Sequence, residues 1–424
     1  MRSVDRLRCL QRGLAASATL AAALTFLLPS PSASPTPTLS GSGSGTSSDS
    51  SVGELSIDTG QASHLGNTAR YRYVILQEYM YAHVAAIKSA NPKTKVFAYL
   101  ETAVTHVRTC SGSNPPAYSP HDSFGVNYCY AVKYHPGWFL KNSAGQRLTY
   151  QDYLRYAVMD IGNSSYQMTW AANAVAAAKA DGFDGIYMDD VNTHPGHGID
   201  SKISKYDDQS YGQAMIRLVS AVGGQLRSHG LLAYANLSAD PWVAWQRSDA
   251  LAMAAHLTAV NREHYSRWGD ICGPFSERFN TTAIYGTPPV DVELSYDRAI
   301  QATGAFFTGI DYGYSPTTSQ DVATMAYGRA FFLLAWDGRP GSAYIFRPCG
   351  TVDPANSAWT VNLGTPSGAA KHLSNGLYKR VFSRGLVLLN PSRYRSLTTS
   401  LPSGYVRSGS ITLKPKTALL LRAA

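Results

Sequence analysis

Seven polar residues occupy comparable places in this 424-residue chain, each closing a short β-like run where a loop begins. They are Glu101, Asp160, Asp189 with its neighbour Asp190, Asn236, Glu263 and Asp311. A lone carboxylate in such a place can serve as a helix cap or simply solvate a loop. A ring of them on one rim repels itself, and such repulsion points to charges that are used. Two carboxyls held in different environments can divide the labour of nucleophile and proton donor.

The sharpest of these runs is Asp184-Gly-Ile-Tyr-Met-Asp-Asp190. Side chains alternate across a strand, so Gly185, Tyr187 and Asp189 share one face and Ile186 and Met188 the other. The aliphatic pair belongs against covering helices, which aims Tyr187 and Asp189 at the interior. Parity therefore selects Asp189 as the reacting carboxylate and leaves Asp190, with Asn192, to brace the loop. Glu101, Asp160, Tyr187, Asp190, Asn236, Asp311 and Tyr312 are the expected substrate contacts around it. Tyrosine is abundant, with 27 copies. Trp138, Tyr187, Tyr265, Trp268, Tyr312 and Tyr314 fall at expected strand exits and loops, where flat ring faces and phenol tips can together line a binding groove.

These residues need a scaffold that brings many strand ends together. From about residue 70, β-like runs alternate with helical patterns: 73–77, 96–101, 156–161, 184–190, 231–236, 256–263, 305–311 and 342–346 read as strands. Eight such units over residues 65–350 predict an α/β fold, a (β/α)8 TIM barrel, whose active sites lie at the C-terminal ends of the strands. An open doubly wound sheet would more often carry a Gly-rich phosphate turn after its first strand, where Gln77-Glu78-Tyr79 stands instead. After Pro348 the helical period is lost. Short apolar runs divided by turns such as Ser374-Asn-Gly376 predict a small C-terminal antiparallel β-sandwich over 355–424.

The remaining features concern location. Four arginines and an apolar run from Leu14 to Leu28 have the layout of a secretory signal over 1–33. Residues 34–60 are rich in Ser, Gly and Pro and read as a linker. No later stretch is apolar enough to span a bilayer, so the expectation is an extracellular monomer without stable membrane insertion. The formal charge of +9 drops to about +6 without the leader, which carries four Arg and Asp5. The basic residues are scattered, which argues against nucleic acid and leaves only a mild attraction to acidic cell-wall polymers. Beyond Cys9, an even set remains: Cys110, Cys129, Cys272 and Cys349. Three pairings exist, and Cys110–Cys129 with Cys272–Cys349 is expected because the first two bracket one Pro- and Tyr-rich loop. No C-x-x-C pair is present, and neither a metal nor another cofactor is expected.

Several stretches together resemble the barrel enzymes of hypothetical glycosyl hydrolase family 15. They are Val96-Phe-Ala-Tyr-Leu100, His135-Pro-Gly-Trp-Phe-Leu140, Met159-Asp-Ile-Gly-Asn163, Phe183-Asp-Gly-Ile-Tyr-Met-Asp-Asp-Val-Asn192 and Arg262-Glu-His-Tyr-Ser-Arg-Trp268. A more distant similarity is to glycoside hydrolase family 114. The resemblance implies hydrolysis of O-glycosidic bonds in a poly- or oligosaccharide, with Asp189 as nucleophile and Glu263 as general acid/base. It departs from the pattern before Glu263, which reads Leu257-Thr-Ala-Val-Asn-Arg where such barrels often carry Asp-Gly. A pair about 5–5.5 Å apart retains anomeric configuration, and retention is expected because a strand-end Asp can reach the ring. On that reading Glu263 should occupy the less solvated position, to keep its proton. Two rivals remain. One is a catalytically silent glycan-binding barrel, which Glu263 facing the outer helices would favour. The other is a metal-dependent polysaccharide deacetylase using Asp189, Asp190, His194 and His197.

Overall fold

The computed structural model describes residues 55–58, 71–151, 155–196, 198–199, 203–266, 268–269, 275–276, 289–312, 318–347 and 361–424. Its centre is one parallel sheet of eight strands: β1 (Leu55–Asp58), β2 (Tyr73–Gln77), β3 (Lys95–Glu101), β6 (Gly185–Asn192), β7 (Leu232–Ser238), β8 (Ala259–Arg262), β11 (Phe306–Tyr312) and β12 (Ala343–Arg347), hydrogen-bonded in that order. Helices α1 (Val84–Ala90), α3 (Ser164–Ala180), α4 (Asp208–Ser228), α5 (Ala244–Ala254), α6 (Pro289–Ala302) and α7 (Thr318–Ala335) fall between strands of this sheet.

The sheet curls on itself. Tyr73 on β2 and Tyr234 on β7 are separated by two strands, yet their rings lie 5.9 Å apart. Tyr73 Oη also donates to Gly341 O, just before β12, at 2.5 Å. The concave face is filled by Tyr73, Phe97, Tyr187 and Tyr234, in edge-on or tilted contact. These rings, one from each of four neighbouring strands, fill the concave side, while the helices cover the other face.

Helix boundaries follow from local chemistry. Asn163 caps α3, its side chain accepting from Ser165 N and Tyr166 N. Asp207 and Ser210 form a reciprocal capping box on α4, satisfying donors that a helix start leaves open.

Two expectations need correction. The run 156–161 is not a strand of the parallel sheet. Its first residues form β5 (Tyr156–Val158), antiparallel to β4 (Val104–His106), while β3 pairs directly with β6. Its apolar residues are buried under the long 105–150 loop, through Leu140 N to Val158 O and Val158 N to Leu148 O, so they mimic a buried parallel strand. The eighth strand is instead β1, which lies inside the range read as linker.

The long loop is an ordered structure of its own, containing α2 (Tyr128–Tyr134) and the Cys110–Cys129 disulfide, with a Cα separation of 5.4 Å. Cys272 and Cys349 lie outside the described residues. Between the β10 and β9 segments, Phe275–Ser276 and Trp268–Gly269 pair antiparallel.

The C-terminal segment forms two antiparallel sheets. One joins β13 (Lys371–His372), β14 (Tyr378–Phe382), β15 (Gly385–Asn390) and β18 (Thr417–Arg422), and the other joins β16 (Leu397–Leu401) to β17 (Gly409–Leu413). Leu386, Leu388 and Leu421 from the first share an apolar cluster with Leu397, Leu401 and Leu413 from the second. Buried Arg380 of β14 ties this segment to α7, donating to Leu333 O at 2.8 Å, Leu334 O at 3.1 Å and Trp336 O at 2.5 Å. A cation at the carbonyl end of a helix answers both its open acceptors and its dipole.

Candidate active site

At the C-terminal ends of the parallel strands, inward-facing positions rise in layers. Below lie Tyr234 and Thr308, joined Oη to Oγ1 at 2.5 Å. Above them Asn261 Nδ2 donates to Tyr187 Oη and to Asn236 Oδ1, both at 3.1 Å, while Thr308 Oγ1 donates to Asn261 Oδ1 at 3.1 Å. These bonds fix the Asn236 amide with its NH2 pointing up. Asn236 Nδ2 then donates to Asp189 Oδ1 at 2.9 Å and to Glu263 Oε2 at 2.7 Å. The two carboxylates named from sequence thus stand on one amide.

Asp189 accepts two further bonds, from Asp190 N at 2.8 Å and from Tyr99 Oη in a very short contact. Burial, followed by the charges of Asp190 and Glu263, pushes its pKa up to about 7, against the lowering effect of the bonds from Tyr99 and Asn236. Glu263 accepts from Tyr312 Oη at 2.5 Å, and its side chain is 34% exposed. The expectation that Glu263 would be the less solvated partner is therefore reversed: Asp189 is the desolvated carboxyl. The cause is depth, since Asp189 lies within β6 and Glu263 just past the end of β8.

Parity on β6 holds as expected. Asp189 faces the interior beside Tyr99 and Asn236. Asp190 has φ 55° at a register shift between Met188 and Val191, and its carboxylate accepts from Tyr150 Oη at 3.0 Å. A left-handed aspartate at a bulge turns its side chain away from the axis and onto the long loop.

Other expected contacts are elsewhere. Asp311 is fully buried on the opposite face of β11, accepting from Ser266 N at 2.7 Å, Ser266 Oγ at 2.6 Å and Tyr344 Oη at 2.8 Å. A Cβ on Gly328 of α7 would come within 2.3 Å of its Oδ2, so the helix packs directly on this group. Asp311 braces the loop carrying Glu263, and it is its neighbour Tyr312 that enters the site. Asp160 is buried with Lys205 Nζ and Tyr206 Oη each at 2.5 Å, tying the end of β5 to the segment before α4. Tyr187 lies beneath Asn261, 1% exposed. Trp138 and Tyr265 are core as well, donating to Ser165 Oγ at 2.7 Å and Asp297 Oδ2 at 2.8 Å. Tyr314, His197 and the Trp268 side chain lie outside the described residues.

Sequence reading missed Tyr99, Asn261 and Glu78. The first two sit two residues before Glu101 and Glu263, so the parity rule applied to β6 would have found them. Glu78 is buried and accepts from His121 N at 3.1 Å and Ser123 N at 3.3 Å, two residues with φ of 64° and 55°. Ser123 O in turn accepts from Glu101 N at 2.9 Å, so Glu78 sets the end of β3.

Carboxyl groups gathered at the strand ends of a curled parallel sheet suit acetal cleavage, which asks for one carboxylate at the anomeric side and one proton donor at the leaving oxygen. The comparisons agree. Residues 88–386 match hypothetical glycosyl hydrolase family 15; the chain belongs to that family and is a glycosidase. Among solved structures it is similar to trehalose-6-phosphate hydrolase (TreA) from Bacillus licheniformis, at 10% identity over 88% of this chain and 99% of that one, with a TM-score of 0.51. It is also similar to the glycoside hydrolase domain of PelA from Pseudomonas aeruginosa, at 14% identity over 70% of this chain and 94% of that one, with a TM-score of 0.44. At 10% identity the likeness to TreA concerns the fold alone. Comparison with curated proteins finds no match.

Proposed function

We propose that the chain is an exported, retaining glycosidase in which Asp189 is the nucleophile and Glu263 the general acid/base. The observation that carries this reading is the shared amide. Two acceptors at 2.9 and 2.7 Å from one sp² nitrogen, on N–H bonds diverging by about 120°, stand about 5 Å apart. That spacing is the one suited to direct attack, and it leaves too little room for a water between carboxyl and sugar ring. Asp189 attacks the anomeric carbon while Glu263 protonates the leaving oxygen. Glu263 then takes a proton from the water that hydrolyses the glycosyl-enzyme. Glu263 lies on the inner side with Asn236 and Tyr312, an arrangement that catalysis requires and that glycan binding alone does not.

The fold reading extends to a closed (β/α)8 barrel, with β1 meeting β12, followed by a β-sandwich. The curl and the Tyr73–Gly341 bond support closure, and the leucine cluster between the two C-terminal sheets supports the sandwich. Export is supported by the Cys110–Cys129 bond, which persists in oxidising compartments.

The test is hydrolysis of a glycan panel with Asp189→Asn and Asp190→Asn as paired controls, and NMR of the first-formed anomer. Asp189→Asn should abolish turnover and the first product should retain its configuration. A dead Asp190→Asn beside an active Asp189→Asn, or an inverted first product, would overturn the assignment.

A further inference from the structure

Tyr99 stands between two carboxyl groups. Its Oη is in short contact with Asp189 Oδ2 and lies 2.9 Å from Glu101 Oε1. The β3–β6 register places Glu101 directly opposite Asp189, so the three groups are fixed by the sheet itself. A phenol has one proton to donate, and burial, with the charges of Asp189 and Glu101, keeps that proton on Tyr99. Two contacts to two carboxylates therefore lack a proton, unless one carboxyl supplies it.

The donors around each group decide which. Asp189 accepts from Asn236, from Asp190 N and from Tyr99, as an anion requires. Glu101 is only 8% exposed, and its Oε2 has no hydrogen-bond partner among the described residues. An ionised Glu101 would put a charge with no donor of its own in a buried place, where the penalty for an unpaired carboxylate is severe. We propose that Glu101 is a neutral carboxylic acid that donates to Tyr99 Oη, leaving Tyr99 to donate its own proton to Asp189 Oδ2. No proton is transferred; the chain of donors points one way. Glu101 is then a positioning residue acting through Tyr99, and it is not the sugar contact expected from sequence.

The surroundings agree. The charges acting on Glu101 are those of Asp190 and Asp189 on β6 and of Glu263 after β8, all negative, and together with burial, the largest influence, they raise its pKa well above the usual carboxylate range. Tyr150, before β5, and Tyr166 on α3 also face it, and burial holds both phenols neutral. A neutral Glu101 spares Asp189 a like charge at its side. The protonation state stands by itself, whereas its catalytic consequence rests on Asp189 being the nucleophile.

The chain has only six glutamates, which makes a direct test practical. Full-length protein carrying 13C-labelled glutamate carboxyls is titrated by NMR. Besides Glu78, which burial pushes up to about 7 and which is therefore in mid-titration, one resonance should remain at its protonated position at about pH 7, and it should vanish in Glu101→Gln. If that variant does not fold, Glu78→Gln and Glu263→Gln assign the resonance by elimination. A Glu101 carboxyl that titrates below pH 5 overturns the proposal. The second arm is the pH dependence of kcat/KM on any glycan that is turned over. Glu101→Gln, neutral like the acid it replaces, should leave the acidic limb within about 0.3 pH unit, while Tyr99→Phe should move it up by about one unit. A downward shift of a unit in Glu101→Gln would mean that the wild-type group was charged, and refutes the idea. If no glycan is hydrolysed, the enzymatic reading fails alone and the NMR titration still decides the protonation state.

Discussion

Replacing Asp189 should make the protein more stable, and only where pH ionises the wild-type group. Asp189 ordinarily titrates at 3.8, and burial with two neighbouring carboxylates pushes it up to about 7 in the fold. A raised acid pKa means that the native state holds its proton more tightly than the unfolded chain does. Below about pH 3 both states are protonated and Asp189 carries no penalty. Between pH 4 and 7 the unfolded chain loses the proton first, so stability falls, and above pH 7 the loss is complete. Three units at 1.36 kcal/mol each set a ceiling of about 4 kcal/mol, and screening at the open side of the cleft lowers this to about 2 kcal/mol. Asp189→Asn removes the ionisation while keeping an acceptor for Asn236 and for the Asp190 amide, and its new NH2 can donate to Tyr99. Denaturant unfolding of both proteins from about pH 2.5 to about pH 8.5 should show the gap closing at the acid end and reaching about 2 kcal/mol in favour of the variant at about pH 8. A gap that is independent of pH, or a wild type that is the more stable at pH 8, would show that Asp189 is not desolvated and that the electrostatic account of the site is wrong. This outcome needs no substrate.

Two further substitutions separate bracing roles from ligand contact. Asp311→Ala removes the acceptor of the Ser266 amide and hydroxyl and of the Tyr344 phenol in a buried place, and should lower stability by about 3 kcal/mol in denaturant unfolding; a loss under about 1 kcal/mol would return Asp311 to the list of sugar contacts. Arg380→Ala strips α7 of the guanidinium that answers its last carbonyls, and should likewise cost about 3 kcal/mol, with Arg380→Lys recovering only part because one ammonium cannot serve both the carbonyls met by Nη1 and the Gly368 O met by Nε at 2.9 Å. An Arg380→Lys protein with wild-type thermal stability would sink that account.

What could be read from the chain, and what could not, follows from the range over which each signal acts. Asn163 and Asp207 start their helices by hydrogen bonds to residues two or three further on, a signal contained within a few residues of sequence. Alternation along Gly185–Asp189 needs only the strand itself and a covering layer, and it aimed Asp189 correctly. The same alternation, carried along β11, would have turned Asp311 outward and Tyr312 inward, and along β8 it would have joined Asn261 to Glu263. Where it was not applied, the acidic side chain was favoured for its type over its direction. The run 156–161 misled for another reason. Burial on both sides is what composition reports, and a strand beneath a folded loop is buried on both sides just as a central parallel strand is. The solvation of the two carboxyls was least legible, because it depends on how far each lies from the end of its strand. Asp189 is the fifth residue of the eight in β6, with a bulge beyond it, whereas Glu263 follows the last residue of a four-residue β8. Strand length and bulge position, both set by the neighbours, decide which of the two carboxyls lies deeper. Its raised pKa is consequently a property of the sheet, and the Asn236 and Tyr99 donors are what allow an anion to exist at that depth.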